Sequence, residues 1–301
     1  MINGVIVIRK EQGFTSHDVV AKMRGICGQK KIGHTGTLDP AATGVLPVCL
    51  GSGTKLCDML ADRDKEYVAE LLLGVTTDTQ DTTGTVLAEQ AVKVTEDEVR
   101  KVCESFVGDY NQIPPMYSAL KVGGKKLYEL AREGKSVERQ ARPVRILELE
   151  ILQIELPVVK MRVVCSKGTY IRTLCDDIGR ALGCGGAMKS LERTRVGAFT
   201  LENAVTLGKL QQLKDAGKLT GVVLPVDRIF DECPKLHVTE EFVRLLDNGN
   251  AILQEQTEEN IKYDNGRWIR FYRMDESFAG VYAYDSGKGR YQPVKMFLER
   301  E

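Results

Sequence analysis

The first candidate for chemistry is a single carboxylate in the run Gly33-His34-Thr35-Gly36-Thr37-Leu38-Asp39-Pro40. Gly36 and Gly44 flank the Asp-Pro pair, and glycine permits tight backbone turns. Because proline pushes the residue before it towards extended geometry, this loop could present Asp39 as a nucleophile or a base. An Asp-Pro pair also commonly forms a turn in which the carboxylate bonds its own backbone. From these residues alone, both interpretations stay open.

Three other side chains could act with a carboxylate, but each has an ordinary structural explanation when taken alone. Tyr67 lies in an apolar run that predicts a strand, where a tyrosine usually belongs to the core. Arg172 stands near the start of a predicted helix and could be a plain surface residue. His34 is a lone histidine, and such residues more often pack or form hydrogen bonds than take part in catalysis.

No segment matches a nucleotide-phosphate loop or a metal site. The runs Gly51-Ser52-Gly53-Thr54-Lys55 and Gly123-Gly124-Lys125-Lys126 lack the full Gly-x-x-x-x-Gly-Lys-Ser/Thr pattern. The histidines show no ligand-like spacing to a cysteine, so we expect neither a metal nor a nucleotide cofactor. The cysteines form no Cys-x-x-Cys pair and are expected to be free thiols; they are Cys27, Cys49, Cys57, Cys103, Cys165, Cys175, Cys184 and Cys233.

Composition and charge limit the class of protein. A chain of 301 residues with 43% hydrophobic and 28% charged residues is typical of a globular protein of two domains. Net charge is zero, but residues 110–195 carry 16 Lys/Arg against 9 Asp/Glu, whereas residues 58–109 carry 5 against 13. A basic face for a nucleic acid and a solvated patchwork of charges both fit this distribution. No apolar run approaches about 18 residues, so we expect a cytoplasmic protein without membrane contact.

Periodicity and capping signals predict the elements that position these side chains. Thr15-Ser16 supplies an N-cap for a first helix, and Thr95 with Glu98 forms a capping box for another that ends near Phe106. Strands are predicted at 5–8, 45–50, 67–73, 144–156, 158–165, 268–273 and 280–284, and further helices at 127–133 and 169–182. Strands and helices that interleave without strict βαβ repetition predict a mixed α+β sheet.

Five blocks in this order resemble the bacterial tRNA pseudouridine-55 synthase family, TruB. They are Gly33–Leu46, Lys65-Glu66-Tyr67, Thr77–Gly84, Gln112–Gly134 and Cys165–Arg172. The resemblance implies an α+β pseudouridine synthase catalytic domain at residues 1–231, with an RNA-gripping insertion at about 112–134. A weaker similarity around Leu245-Leu246-Asp247-Asn248-Gly249 implies a small β-rich, PUA-like RNA-binding domain at residues 232–301.

The resemblance also implies a reaction, the isomerisation of uridine 55 in the T arm of transfer RNA. Asp39 would start cleavage of the bond between ribose and uracil, the base would turn in the pocket, and C5 would rejoin C1′. Arg172 would orient Asp39, while Tyr67 would stack on the flipped base or remove the C5 proton. Attack of Asp39 on C1′ and removal of the ribose 2′ proton are both open. Neither route needs a cofactor.

Further residues are implied in substrate binding by the same resemblance. His34 would help hold the T loop open, and Tyr170 and Leu191 would line the base pocket. Arg9 and Glu192 depart from the pattern, because aspartate is common at the first position and arginine is expected at the second. RNA contacts with salt-sensitive affinity are implied for Lys10, Lys121, Lys125 and Arg132.

Two other functions share part of this pattern. RNA-guided relatives that modify ribosomal RNA in a multiprotein particle carry the same Asp-bearing motif, but the basic insertion at 112–134 belongs to the stand-alone type. The other is a protein that binds transfer RNA and helps it fold, with catalysis vestigial. Asp39, Tyr67 and Arg172 together argue against a vestigial site, while a folding role beside catalysis stays open. We therefore expect a monomer that acts on transfer RNA without an obligatory protein partner.

Overall fold

The structure, a computed structural model, describes residues 1–298, and every element below belongs to those residues. The α-helices are Ser16–Cys27 (α1), Cys57–Ala61 (α2), Glu96–Ser105 (α3), Leu127–Arg132 (α4), Ile171–Ala181 (α5), Leu207–Asp215 (α6) and Val243–Asp247 (α7). Short 3-10 helices span Gly51–Leu56, Leu201–Asn203, Leu219–Val222, Val226–Phe230, Glu240–Phe242 and Gln254–Gln256.

The strands are Gly4–Lys10 (β1), Ile32–His34 (β2), Thr43–Leu50 (β3), Lys65–Leu73 (β4), Val75–Thr77 (β5), Val86–Glu89 (β6), Gly108–Gln112 (β7), Lys121–Val122 (β8), Lys125–Lys126 (β9), Arg142–Glu155 (β10), Val158–Cys165 (β11), Gly186–Val196 (β12), Phe199–Thr200 (β13), Lys235–Val238 (β14), Trp268–Arg273 (β15), Phe278–Asp285 (β16) and Arg290–Met296 (β17). Two small hairpins, β5–β6 and β8–β9, stand apart from the larger sheets.

A mixed sheet forms the body of the first 200 residues. Its order is β1-β3-β12-β4-β11-β10-β7, with β2 paired to β3 and β13 to β12. Neighbouring strands are antiparallel except β3 and β12, which run parallel where Thr43 and Gly44 meet Glu192 and Arg193. This contact places the loop before β3, which carries Asp39, against the middle of β12.

Strand β4 shows why the sheet has two unlike faces. Its residues are alternately buried and half-buried from Lys65 to Leu73, the pattern of a strand with one face in the core. The buried residues from Tyr67 to Leu73 belong to an apolar cluster that also contains residues of β11, α3 and α5. The half-buried face carries two acidic and two apolar side chains, and two of the four, Val68 and Glu70, line the cleft described below.

A second sheet, in the order β14-β15-β16-β17, follows the first and has its own aromatic core with Phe271, Tyr282 and Tyr291. A further apolar cluster contains residues of both sheets, including Val5 of β1 and Val281 of β16. Lys55 also donates a hydrogen bond to the Met296 carbonyl at 2.8 Å. The two parts of the chain are therefore packed against one another.

The predicted α+β class is confirmed, and so are both N-terminal caps. Thr15 forms a capping box with Asp18, and Thr95 forms one with Glu98. The sequence did not indicate β12 or the hairpin β8–β9, and the domain boundary at residue 231 stays a prediction. Within residues 1–298, no helix is long and apolar enough to cross a membrane.

Candidate active site

The Asp39 loop joins β2 to β3 and contains a tight turn. The Ala42 amide donates to the Asp39 carbonyl at 3.1 Å, and the Leu38 amide donates to the Ser16 hydroxyl of α1 at 2.9 Å. The turn therefore uses the backbone of Asp39. Its carboxylate is left for contacts with other parts of the chain.

Lys10 lies beneath this loop, although the resemblance implies an RNA contact for it. Its ammonium donates to the carbonyls of Phe14 at 2.6 Å, Glu11 at 3.1 Å and Pro40 at 3.2 Å, and the residue is fully buried. Burial lowers the pKa of Lys10 to about 8, although the negative charge of Asp39 acts in the opposite direction. In this conformation Lys10 supports the loop from within instead of facing RNA.

Arg193, to which the sequence assigned no role, holds the other side of the loop. It is buried on β12, where its Nε donates to the Val45 carbonyl at 2.7 Å and its Nη2 donates to the Gly36 carbonyl at 3.3 Å. Gly44 has φ of 106°, and a Cβ there would lie 2.1 Å from the Arg193 carbonyl oxygen. Only glycine fits this close approach of β3 to β12.

Arg172, in the first turn of α5, reaches the Asp39 carboxylate. Its Nη2 lies 3.1 Å from Oδ2 of Asp39 and also donates to the Tyr117 carbonyl at 2.9 Å. The arginine side chain is 8% exposed, whereas that of Asp39 is 38% exposed. A buried cation thus orients a carboxylate that an incoming ligand can still reach. Among the described residues, the hydrogen bond to this carboxylate comes from Arg172 and not from the loop's own backbone.

A second carboxylate, Asp81, faces the same guanidinium. Its Oδ2 lies 3.8 Å from Nη1 of Arg172, and it accepts hydrogen bonds from the Thr79 hydroxyl at 2.8 Å and the Thr83 amide at 3.0 Å. Asp81 belongs to the block Thr77–Gly84, which we call the acidic turn; nothing in the sequence of this block indicates that Asp81 meets an arginine. The contact depends on how α5 packs against the turn.

Asp39 and Asp81 lie on the walls of a cleft with a volume of about 450 Å³. Leu191 also lines it, as the resemblance implies for a residue beside the base. Binding sites for small molecules have volumes of about 300–1,000 Å³, so the cleft is large enough for one nucleotide base. The remaining lining residues are Gln12, Ala41, Ala42, Thr43, Val68, Glu70, Thr82, Thr83, Lys160, Met188, Lys189, Ser190 and Glu192.

Tyr67 is buried on β4, in the same apolar cluster as Leu38 and Ala42 of the Asp39 loop. It is paired with Arg193 across the β4–β12 ladder. Burial raises the pKa of Tyr67, while the neighbouring Arg193 acts to lower it. The tyrosine therefore lies next to the loop and not among the residues that line the open cleft.

His34 and Tyr170 are both half-buried near the loop and α5. The His34 ring meets the exposed His17 ring edge to face, with centroids 5.3 Å apart, and burial lowers the pKa of His34. Tyr170 precedes α5, and its backbone amide and carbonyl form two hydrogen bonds with the Gln112 side chain, at 2.8 and 3.0 Å. The insertion is thereby fastened to the helix that carries Arg172.

The insertion itself presents charge to solvent. Lys121 and Lys125 are exposed on the β8–β9 hairpin, and Arg132 is exposed at the end of α4. The guanidinium of Arg132 lies 5.4 Å from the centre of the Tyr128 ring, and the Lys126 ammonium lies 5.3 Å from it. These cations are in positions from which they could contact phosphates.

Arg9 and Glu192, which both depart from the family pattern, form an ion pair. The Nη2 of Arg9 lies 3.0 Å from Oε1 of Glu192, at the edge of the cleft. Where the pattern leads one to expect an acid at position 9 and a base at 192, this chain has the two charges exchanged. The departures therefore compensate one another.

Comparison with protein families gives two matches. Residues 24–171 match the model of the N-terminal domain of the TruB family pseudouridylate synthases. Residues 172–231 match the model of the tRNA pseudouridylate synthase B C-terminal domain. The blocks that contain Asp39, Tyr67 and Asp81 lie in the first match, and Arg172 begins the second.

Known proteins similar to this chain carry the same description. A tRNA pseudouridine synthase B from Lachnoclostridium phytofermentans is 53% identical over 310 residues, which cover 99% of this chain and 100% of the relative. A protein of the same name from Clostridium novyi is 48% identical and covers 93% of this chain and 95% of its own length. Among solved structures, a Cbf5-Nop10-Gar1 complex contains a chain with 28% identity and a TM-score of 0.73, covering 99% of this chain and 85% of that one.

Proposed function

The chain belongs to the TruB family of pseudouridylate synthases, and we propose that Asp39 starts the isomerisation of uridine 55 in the T arm of transfer RNA. The relatives are tRNA pseudouridine synthases, and this chain is an isomerase of the same kind. The observation that supports Asp39 is its pairing with the buried Arg172 on the wall of the cleft. Such a pair fixes the direction of the carboxylate before the substrate arrives.

The reaction moves the ribose from N1 to C5 of the base. The C1′–N1 bond breaks, the base turns, C5 bonds to C1′, the proton on C5 is lost, and N1 ends with a proton. Asp39 can start this sequence by attack on C1′ or by removal of the proton on C2′. Deuterium at C2′ of the target uridine separates the two, because it slows the reaction substantially only when that bond breaks.

Tyr67 is our candidate for the group that removes the C5 proton. A tyrosine must ionise to act as a base, and burial opposes this by raising the pKa of Tyr67. The adjacent Arg193 supplies the positive charge that favours ionisation. Tyr67→Phe keeps the aromatic face, so it is expected to bind RNA and to fail in turnover. Normal turnover by Tyr67→Phe would instead indicate that water removes the C5 proton.

We propose that the enzyme acts in the cytoplasm as a monomer, on bare transfer RNA. The exposed cations Lys121, Lys125 and Arg132 of the insertion support this, because they supply a phosphate-binding surface within the chain itself. The similar chain in the solved complex is accompanied by Nop10 and Gar1. Formation of pseudouridine by the purified chain alone, without guide RNA or partner proteins, tests this proposal.

The main test is Asp39→Asn, with Asp215→Asn on α6 as the control. Asp215 accepts a hydrogen bond from Gln211 on the exposed surface of that helix, away from the cleft. We expect Asp39→Asn to form no pseudouridine in transfer RNA while its binding affinity changes by only about twofold, and the control to behave as wild type. Pseudouridine formed by Asp39→Asn at a near-normal rate would contradict the assignment.

A further inference from the structure

Gln80 has an unusual backbone for its residue type. Its φ is 64°, in the left-handed region that glycine adopts readily and other residues seldom do. The conformation is held by its amide, which donates to the Thr77 carbonyl at 3.3 Å, and by its carbonyl, which accepts from the Met188 amide at 3.0 Å. Strained backbone of this kind persists only where the surroundings fix it, and it is concentrated at functional sites.

The strained backbone of Gln80 places its side chain against α5. Its Oε1 accepts a hydrogen bond from the Thr173 hydroxyl at 2.7 Å, and its Nε2 donates one to the Asp176 carboxylate at 3.0 Å. Thr173 and Asp176 both belong to α5 and are 2% and 3% exposed. One half-buried amide thus makes two hydrogen bonds to buried side chains of a single helix.

These bonds join the two elements that carry Asp81 and Arg172. Asp81 follows Gln80 directly, and Arg172 directly precedes Thr173. We propose that Gln80 is a positioning residue for pseudouridine formation: it fixes α5 against the acidic turn so that Arg172 meets Asp81 and Asp39 at once. This inference rests on the proposed role of Asp39 and extends it to a residue outside the cleft.

An amide is required at this position because one end must accept and the other must donate. A glutamate at position 80 would place a second carboxylate against Asp176, whose pKa is already raised by burial. It could still accept from Thr173, but it could not donate to Asp176 when ionised. The change keeps the size of the side chain and removes one hydrogen bond.

The experiment is a donor–acceptor exchange. Gln80→Glu is expected to lower the single-turnover rate about tenfold or more, with the affinity for transfer RNA within about twofold, because misplaced catalytic groups cost rate and not binding. The double variant Gln80→Glu/Asp176→Asn exchanges donor and acceptor, since the new amide at position 176 can donate to the new carboxylate. It is expected to recover most of the lost rate.

Gln153→Glu is the matched control. Gln153 donates to Glu155 at 2.7 Å on exposed β10, so this variant makes the same chemical change where no catalytic group depends on it. We expect its rate to equal that of wild type.

Two results would overturn the inference. One is a wild-type rate for Gln80→Glu. The other is a rate loss that the double variant does not recover, accompanied by an equal fall in the melting temperature of both variants. An inactive wild-type enzyme would instead overturn the proposed function.

Discussion

Replacing Arg172 with lysine tests whether one guanidinium must serve two carboxylates. The Nη2 of Arg172 contacts Asp39 at 3.1 Å and the Tyr117 carbonyl at 2.9 Å, while Nη1 lies 3.8 Å from Asp81. A lysine ammonium is a single charged centre and cannot occupy both nitrogen positions. The variant should therefore keep one carboxylate contact and lose the other.

The expected size of the effect follows from these contacts. A hydrogen bond to a charged group contributes about 1.5–3 kcal/mol, and the lower part of that range applies here because the Asp39 side chain is 38% exposed. A loss of about 1.5–2 kcal/mol in the transition state corresponds to a fall in the single-turnover rate of about 10- to 30-fold. RNA affinity should change little, because Arg172 is buried and contacts the protein.

The assay is a single-turnover reaction with transfer RNA that carries tritium at C5 of uridine, so that each isomerisation releases the label. Filter binding gives the affinity separately. Arg228→Lys is the control, since Arg228 pairs with Asp231 at 3.4 Å on the surface. An Arg172→Lys enzyme with the wild-type single-turnover rate would refute the reasoning, and so would a defect found entirely in binding.

Three further outcomes are expected. Lys10→Met should remove a pH dependence of stability: the folded-state pKa of about 8 lies below the ordinary lysine pKa of 10.5, so the unfolded chain holds the proton more tightly. Wild type should gain on the order of 3 kcal/mol relative to Lys10→Met as pH rises from about 8 to 10.5, measured by urea unfolding. Glu192→Arg should lower stability by less than about 1 kcal/mol, because the pair is largely exposed, and adding Arg9→Glu should restore it in a thermal double-mutant cycle. Lys121→Ala should weaken RNA binding and reduce the slope of log affinity against log salt by about one, whereas Lys209→Ala on α6 should leave both unchanged.

Local signals in the sequence were sufficient for most of the elements around the site. The apolar run at residues 67–73 predicts a buried strand, and β4 covers it, although only one face of β4 is fully buried. Thr95 and Glu98 mark the start of α3 because a capping box is a contact within one turn. The run from Trp268 to Arg273 predicts β15, because strand propensity and alternation are also short-range features of the sequence.

Contacts between distant parts of the chain could not be predicted in this way. Strand β12 has bulges at two places and mixes charged with apolar residues, so its sequence lacks regular alternation. Arg193 is buried against the carbonyls of Val45, on the neighbouring strand β3, and of Gly36, in the loop before that strand. These partners are far from Arg193 along the chain and meet it only in the folded sheet. Lys10 resembles a surface lysine until the fold places three carbonyls around it. The local sequence around Arg193 and Lys10 does not indicate which carbonyls they will bind.

The apolar cluster that contains Val5 of β1, Val281 of β16 and Phe297 has a consequence for how the molecule handles RNA. Elements that share one core should melt in a single cooperative transition, so the second sheet cannot swing freely about a linker. The distance from the cleft to the second sheet is then constant. An RNA that contacts both must place its target nucleotide at a matching distance from its second point of contact, and the fold would select substrates by length as well as by charge.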